Sequence, residues 1–424
     1  MMITNARIVT FDGRVIQNGS IEILPDGRIG KVGRITLPHG RGSDGAIDAG
    51  GRLVMPALIN CHTHLYSTLA RGITLPGAAP KNFREILRKL WWRLDCALNE
   101  DDVYYSALVG LIDSAKCGVG TLIDHHSSPN ACAGSLDRIE QAFTEVGLGG
   151  ALCYETSDRH PAKPGFQENV RFLERRHSEL IGGSFGLHAA FTLHDYTLLA
   201  CAEAERSLRC GFHIHVAEDE CDAAAVQRLA RFGILGERTI AAHCLHVDRK
   251  DVAMLAHHGV NVVHNPQSNC NNAVGAVKLL PGAGLGSDGY SPRMWDEFKT
   301  AFHLQKLRAE DPRVGYGEAY AAAFVNNRDI VRRIWGWDIG RITTGARADL
   351  ILVDYFPPTP ITEENLFGHL LFGISNAPVD SLIVNGRYIV KDKQCVTVDE
   401  RAVAERAAKQ ARSLWRRYET SCKT

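Results

Sequence analysis

The chain has 424 residues, of which 45% are hydrophobic and 23% are charged, an ordinary composition for a water-soluble globular protein. Lysine and arginine together number 48, as do aspartate and glutamate, so the zero net charge favours neither a nucleic-acid nor an anionic-membrane partner. No apolar run approaches the ~20 residues of a membrane span, and the N-terminus lacks the segments of a signal peptide. Twelve scattered cysteines, none in a Cys-x-x-Cys pair, are typical of reduced thiols, so we expect a cytoplasmic protein.

Both ends of the chain have the alternating pattern of short β-strands. Residues 6–10 and 20–24 alternate apolar and polar side chains, and Asp-Gly pairs near them mark tight turns. Similar strands return at 348–354 and 381–390, before a helical composition from about 399 to 418. The two ends therefore predict parts of one small β domain.

The central part alternates predicted strands with predicted helices. The eight candidate strands end near His64, Asp124, Glu155, His188, His215, His243, His264 and Ser287. After the first, these ends lie roughly 20–35 residues apart, the repeat of βα units. Eight such units predict a (β/α)8 barrel of the TIM type. We expect a β segment at 1–55, the barrel at 56–340, a second β segment at 341–398 and a C-terminal helix at 399–424.

The first βα unit carries an insertion, since 60 residues separate His64 from Asp124. The stretch 71–99 holds glycines, prolines and the pair Trp91-Trp92. We expect an elaborated loop and helix over the barrel mouth. Trp92 is a candidate for an aromatic wall of a substrate pocket, and the alternative is a tryptophan buried under an amphipathic helix.

Ionisable side chains recur where the predicted strands end. His62 and His64 are two positions apart, so both can point to the barrel interior. His215 and Asp288 end the fifth and eighth strands, and in this fold the strand C-termini form the catalytic face. Three imidazoles and a carboxylate can hold a divalent cation that makes hydroxide at neutral pH. The array therefore predicts hydrolysis rather than redox chemistry, with His213 in a supporting position.

Two further residues are candidates for proton transfer and charge stabilisation. Glu218 follows His215 where the strand turns into a loop, and its carboxyl could shuttle a proton to a substrate. His243 ends the sixth strand as either a metal ligand or a group that polarises substrate and water. Asp288 could also take a proton from that water. His188, which ends the fourth strand, and His126, which follows the second, are candidate substrate contacts.

The fourth strand bears on the number of metal ions. A binuclear hydrolase of this architecture needs a bridging ligand, often a carboxylated lysine, and residues 184–190 contain no lysine. We therefore expect one divalent ion, zinc, with iron as the alternative.

Several motifs together resemble the amidohydrolase superfamily, in its cytosine-deaminase and chlorohydrolase-like subgroup. They are Pro-x-Leu-Ile-Asn-Cys-His-Thr-His, His-Val-Ala-Glu, Ala-Ala-His-Cys, His-Asn-Pro-x-Ser-Asn, Gly-Ser-Asp-Gly and Gly-Ala-Arg-Ala-Asp-Leu. The resemblance implies a distorted (β/α)8 barrel with a β-sandwich built from both termini. It also implies a single zinc held by His62, His64, His215 and Asp288. His243 would then polarise the water or substrate, and Glu218 would carry a proton to a ring nitrogen.

Other stretches are similar to a branch of aminohydrolases known as SsnA. These stretches are residues 123–126, 265–275, 288–290 and 368–373. Relatives that deaminate thioadenosine-type nucleosides often continue Ser-Asn with Leu-Lys-Leu, whereas 270–272 is Cys-Asn-Asn here. They also often place Asp-x-Tyr after the second strand, where this chain has Asp-His-His. These departures predict a pocket that differs from theirs.

The resulting hypothesis is an aminohydrolase that deaminates a purine, a pterin or a related amino-substituted heterocycle and releases ammonia. One alternative is a chlorohydrolase or cyclic-amide hydrolase that uses the same site. Another is a metal-binding scaffold without catalysis. The expected partner is a small heterocyclic substrate, with no nucleic acid and no membrane, and family relatives suggest a homo-oligomer by analogy.

Overall fold

The computed structural model describes residues 1–34 and 46–420. Residues 35–45 of the predicted first β segment, and 421–424 of the predicted C-terminal helix, lie outside the described residues. Within the described ranges, none of the helices combines the length and the apolar composition that crossing a membrane requires.

The described elements alternate between strands and helices through the central part of the chain. The strands are β1 (Met2–Val9), β2 (Val15–Ile23), β3 (Ile29–Gly33), β4 (Ala46–Asp48), β5 (Leu53–Pro56), β6 (Leu58–Thr63), β7 (Val119–His126), β8 (Gly149–Tyr154), β9 (Ile181–Gly183), β10 (Phe185–Ala189), β11 (Phe212–Val216), β12 (Ile240–His243), β13 (Asn261–His264), β14 (Gly284–Leu285), β15 (Leu350–Val353), β16 (Val379–Val384), β17 (Arg387–Lys391) and β18 (Gln394–Cys395). The α-helices are α1 (Phe83–Ile86), α2 (Trp92–Ala97), α3 (Glu100–Lys116), α4 (Ser135–Val146), α5 (Ala162–Leu173), α6 (Asp195–Leu208), α7 (Ala225–Arg231), α8 (Arg249–His257), α9 (Pro266–Asn271), α10 (Met294–Ala309), α11 (Tyr316–Tyr320), α12 (Asn327–Trp335), α13 (Leu366–Phe372) and α14 (Glu400–Thr420).

The two ends of the chain share one nine-stranded sheet. Its strand order is β18-β17-β16-β15-β5-β1-β2-β3, and β4 pairs with β1. The junction is the antiparallel pair of β15 with β5, in which Leu350 lies opposite Pro56 and Val353 opposite Leu53. Apolar side chains from both ends meet in a common core that includes Ile8. The predicted small β domain built from both termini is thus confirmed, whereas its boundaries stay a prediction.

The central strands form two parallel sheets, β6-β7-β8-β9 and β10-β11-β12-β13-β14. Isolated parallel bridges link them at both edges, Thr63 with Asp288 and Thr156 with Leu187. The eight predicted strand ends fall at β6, β7, β8 and β10–β14, and the short β9 is an addition. Every residue of β6 and β7 is buried, because helices cover the outside while polar side chains fill the inside.

The insertion after β6 is held in place by the C-terminal helix. It contains α1, a π-helical turn over Leu87–Trp91, and α2, which packs against α14 in one apolar cluster. The Arg93 side chain donates to the carbonyl oxygens of Tyr418 and Glu419, at 2.5 and 2.7 Å. A capping box of Asn99 and Asp102 then starts α3. The predicted loop and helix over the barrel mouth is therefore an ordered segment braced by α14.

Candidate metal centre and catalytic cleft

Four predicted ligand residues converge at the C-terminal ends of the barrel strands. Nε2 of His64 lies 2.9 Å from Oδ1 of Asp288 and 3.2 Å from Nε2 of His215. Nε2 of His62 lies 3.5 Å from the same Asp288 oxygen. All four side chains are buried. Three imidazole nitrogens and one carboxylate oxygen therefore face a common point.

The outward nitrogens of two of these imidazoles are fixed by hydrogen bonds. Nδ1 of His64 donates to the carbonyl oxygen of His125 at 2.6 Å. Nδ1 of His62 bonds to Nε2 of His213 at 2.8 Å, which places His213 in the supporting position that the sequence predicts. Such contacts orient the ring and leave Nε2 directed at a metal, as in most histidine–metal sites.

The electrostatics of this cluster suit a cation. Burial lowers the pKa of His62 to about 3, which favours its neutral, ligating form. Burial opposes the charged forms of His64 and Asp288 too, but their mutual hydrogen bond raises the pKa of His64 to about 10 and holds that of Asp288 well below its ordinary value. Nε2 of His62 is buried without a hydrogen-bond partner. Metal binding would displace the proton that His64 shares with Asp288, and the donor set then fits zinc, which takes neutral imidazole and carboxylate ligands in tetrahedral sites.

The loop after β13 orients His243 and Asp288. Nδ2 of Asn269 lies 2.9 Å from Nδ1 of His243, and Nδ2 of Asn265 lies 3.3 Å from it. Amide donors at Nδ1 leave the ring proton on Nε2, which is 3.5 Å from Oε2 of Glu218. His243 lies close enough to be a ligand, but an Nε2–H favours the polarising alternative. Ser268 donates to Oδ2 of Asp288, so the Ser-Asn pair of the motif supports two site residues.

Glu218 stands on a strained turn at the end of β11. The preceding Ala217 has φ +47°, and its amide donates to Oδ2 of Asp222 at 3.1 Å. Oδ1 of Asp222 accepts from the amide of Phe191 at 3.2 Å, which ties this turn to the loop after β10. Burial, and then the negative charge of Asp288, raise the pKa of Glu218 well above its ordinary value. The turn thus presents a carboxyl group whose surroundings favour its protonated form.

These groups open onto a cleft of about 620 Å³. Its lining consists of His64, Tyr66, Phe83, Leu87, Trp91, Trp92, Asp95, Glu155, His188, Ala189, Phe191, His215, Glu218, Asp219, Cys221, Asp222, Asn272 and Asp288. Trp92 and His188, both predicted substrate contacts, line it. The insertion supplies five of these residues.

His126, the third predicted substrate contact, is not among the residues that line the cleft, and its role in binding stays a prediction. Its Nε2 bonds to Oγ of Ser128 at 2.8 Å, and its ring packs against Tyr66, which does line the cleft. Successive residues of a strand point to opposite faces, so His125 and His126 cannot both face the interior of the barrel. The structure directs His125 inward.

The cleft contains carboxyl groups that the sequence did not single out, and two of them share one partner. Glu155 follows β8, and Asp95 lies in α2 of the insertion; both contact Arg159, which follows Glu155 by four residues. The position of Glu155 at the end of the third predicted strand could have identified it as a residue of the site. No periodic pattern marks Asp95, because its position depends on how the insertion folds over the barrel.

Comparison with known proteins places this site in a family. A model described as "Amidohydrolase family" matches residues 53–389. A 5-methylthioadenosine/S-adenosylhomocysteine deaminase of Desulforudis audaxviator is 30% identical, covering 98% of this chain and 99% of the relative. A 5'-deoxyadenosine deaminase of Methanosarcina mazei is also 30% identical, with 98% of each chain covered.

Two solved structures share the fold. A zinc-bound adenosine deaminase from Xanthomonas campestris superposes with a TM-score of 0.81 at 21% identity over 98% of each chain. A zinc complex of atrazine chlorohydrolase from Arthrobacter aurescens gives 0.77 at 18% identity, covering 98% of this chain and 99% of that one. The predicted fold class, a barrel with a small β domain, is confirmed by these likenesses.

Proposed function

Because this chain belongs to the amidohydrolase family, we propose that it is a zinc-dependent aminohydrolase that deaminates an amino-substituted heterocycle and releases ammonia. The observation that carries the proposal is the position of Glu218, whose Oε2 lies 3.5 Å from Nε2 of His243 beside the four predicted ligands. The deaminase names of the relatives support the same chemistry on a purine-like ring.

His62, His64, His215 and Asp288 are the residues that would hold the metal. When bound, zinc supplies a Lewis acid that lowers the pKa of water towards ~7. Asp288 is placed to accept the proton that this water loses. Its second oxygen is already held by Ser268, so the first oxygen can act at the ligand cluster.

The proton of Glu218 determines which bond is suited to cleavage. An amidine-like carbon becomes electrophilic when its ring nitrogen is protonated, and Glu218 is the group that would deliver this proton. His243 would stabilise the negative charge that develops on the attacking oxygen. Water adds to the carbon, the C–N bond to the exocyclic amine breaks, and the amine leaves as ammonia with the transferred protons. The product is a ring carbonyl.

The side chains favour one metal ion. A second group of potential ligands consists of His64, His125, Glu155 and His215. In that group Nδ1 of His125 faces Oε1 of Glu155 at 3.0 Å, and its Nε2 faces two carbonyl oxygens at 3.1 Å. Both nitrogens of His125 therefore already face oxygen atoms of the protein, which leaves neither directed at a second metal. We expect elemental analysis to find one tightly bound zinc per chain, and two would contradict this proposal.

The decisive experiment is ammonia release by the zinc-loaded protein from a panel of aminopurines, aminopterins, cytosines and adenosine derivatives. Glu218→Gln should abolish turnover of the best substrate and retain zinc. Glu220→Gln, an exposed neighbour in the same acidic segment, is the matched control and should retain both. Turnover by Glu218→Gln would refute its assigned role. Chloride release without ammonia release would instead establish the chlorohydrolase alternative.

A further inference from the structure

One wall of the cleft contains buried charges that the reaction does not use. We call Asp95, Glu155 and Arg159 the charged wall. Asp95 and Glu155 line the cleft, and the side chains of both are 2% exposed. Glu155 also approaches the metal-binding residues, because its Oε1 lies 3.5 Å from Nδ1 of His64. A substrate bound at the ligand cluster would therefore extend along this wall.

The positive charge of Arg159 is already neutralised within the charged wall. One guanidinium nitrogen lies 2.9 Å from Oδ2 of Asp95, and another lies 3.5 Å from Oε2 of Glu155. The guanidinium also stacks 5.3 Å above the ring of Trp92. Its side chain is 10% exposed. These contacts leave Arg159 without a free face for a substrate anion.

Apart from the ligand cluster and the metal that it would hold, the remainder of the cleft offers no side-chain cation. Among the residues that the structure describes, neither lysine nor arginine lines it. Its acidic side chains beyond the charged wall are Glu218, Asp219, Asp222 and Asp288. Arg84 bonds to Cys221 at the entrance, but Arg84 is exposed and lies outside the lining.

From this distribution of charge we propose that the cleft accepts an uncharged or cationic planar aminoheterocycle and rejects one that carries a carboxylate on its ring, with Glu155 setting this preference. The inference rests on the proposed deamination and specifies its substrate class. An anionic substituent would be buried beside carboxylates without a counter-charge, and such like-charge contacts weaken binding. A ring N–H or amino group can instead donate to a carboxylate at this wall.

The test compares two matched ligands, pterin and pterin-6-carboxylate, with the zinc-loaded wild-type protein. Binding is measured by calorimetry and deamination by ammonia release. We expect pterin to bind more tightly by a factor on the order of 10–100. Equal or tighter binding of the carboxylate would overturn the inference, as would a panel in which only anionic heterocycles are deaminated. If only anionic heterocycles were deaminated, the proposed deamination itself would still stand.

A blank panel with zinc-loaded protein would have the opposite meaning, because it would refute the proposed deamination. The same calorimetric comparison, extended to adenosine and adenosine 5'-phosphate, would then decide the charge preference by itself. Tighter binding of the neutral members supports the inference, and anything else overturns it.

The variant Glu155→Gln tests whether Glu155 sets the charge preference of the cleft. The substitution keeps the shape of the side chain and removes one negative charge, so discrimination against the carboxylate should fall roughly tenfold. Zinc content and the unfolding midpoint report whether the variant is intact. Arg84→Ala is the control at the entrance and should leave discrimination unchanged. If discrimination instead disappears in Arg84→Ala and persists in Glu155→Gln, the entrance sets the preference and the assignment to Glu155 is wrong.

Discussion

The ligand cluster and the charged wall are neighbouring parts of one cleft, and they bury charge in opposite ways. In the cluster, His62, His64 and His215 point nitrogens at one carboxylate oxygen of Asp288, and Nε2 of His62 has no hydrogen-bond partner. In the charged wall, Arg159 is paired with Asp95 and Glu155. The cluster directs nitrogens and a carboxylate oxygen to a point where a metal could bind, whereas the wall pairs its own charges.

This difference separates the two roles that a catalytic cleft requires. A cluster of converging imidazoles and a carboxylate suits a metal, because the metal can replace the proton that His64 and Asp288 share. A wall whose charges are already paired is rigid, and it discriminates among substrates by disfavouring those that bring a further negative charge. Four variants can break or sharpen the contrast.

The largest effect should come from the ligand cluster. His215→Ala removes one of three imidazoles, so we expect loss of zinc and a fall in kcat/KM of more than about 1,000-fold. His257→Ala, an exposed histidine at the end of α8, is the control and should change neither. Elemental analysis and ammonia release measure the two results. A His215→Ala protein that keeps its zinc would remove His215 from the ligand set.

A substitution in the charged wall should lower the stability of the protein rather than its metal content. Arg159→Met leaves Asp95 and Glu155 buried without their counter-charge, so we expect the free energy of unfolding to fall by about 3–5 kcal/mol. Arg401→Met breaks the exposed pair with Glu405 and should cost at most about 0.5 kcal/mol. Urea unfolding of the zinc-loaded proteins compares them. Equal losses would mean that the wall is not the paired unit described above.

Asn269→Ala tests how His243 is oriented without touching the ligands. Losing the amide donor at Nδ1 allows the ring proton to leave Nε2, so kcat should fall roughly 10- to 100-fold. KM and zinc content should change little. Asn271 lies in the same short helix and bonds only weakly to Asn272, so Asn271→Ala serves as the control. A change confined to KM would assign Asn269 to substrate binding instead.

The fourth variant tests a carboxyl group whose partners are neutral. Burial raises the pKa of Glu297 to about 8, although it accepts two hydrogen bonds from Gln267 at 3.0 Å. Between its ordinary pKa near 4.5 and pH 8, the unfolded chain loses this proton while the folded chain keeps it. Its contribution to stability is therefore present at low pH and declines as pH rises, by at most about 1.4 kcal/mol per pH unit.

Glu297→Gln should remove this decline. Urea midpoints measured from pH 5 to pH 8.5 should fall less steeply for the variant than for the wild-type protein. Parallel curves would show that Glu297 ionises at its ordinary pKa in the folded protein. The contrast between the ligand cluster and the charged wall would then apply only to carboxyl groups that face cationic partners.

The residues of the ligand cluster were predictable because one periodic rule places them. Residues two apart on a strand share a face, and parallel strands end at the same rim, so His62, His64, His215 and Asp288 could be expected to meet. Both ends of the chain likewise showed the alternation of strands that pair with each other. The family motifs added that His243 and Glu218 act beside the metal.

Orientation and charge pairing came from the tertiary structure. The sequence could not tell which of His125 and His126 faces the barrel, because alternation allows either, and the structure directs His125 inward. The tautomer of His243 depends on Asn269, which lies 26 residues away, and the neutralisation of Arg159 depends on Asp95, 64 residues away. A strand pattern determines which side chains share a face. Only packing of distant segments in three dimensions decides which of them donate, accept or cancel charge, because hydrogen bonds and ion pairs act over a few ångströms.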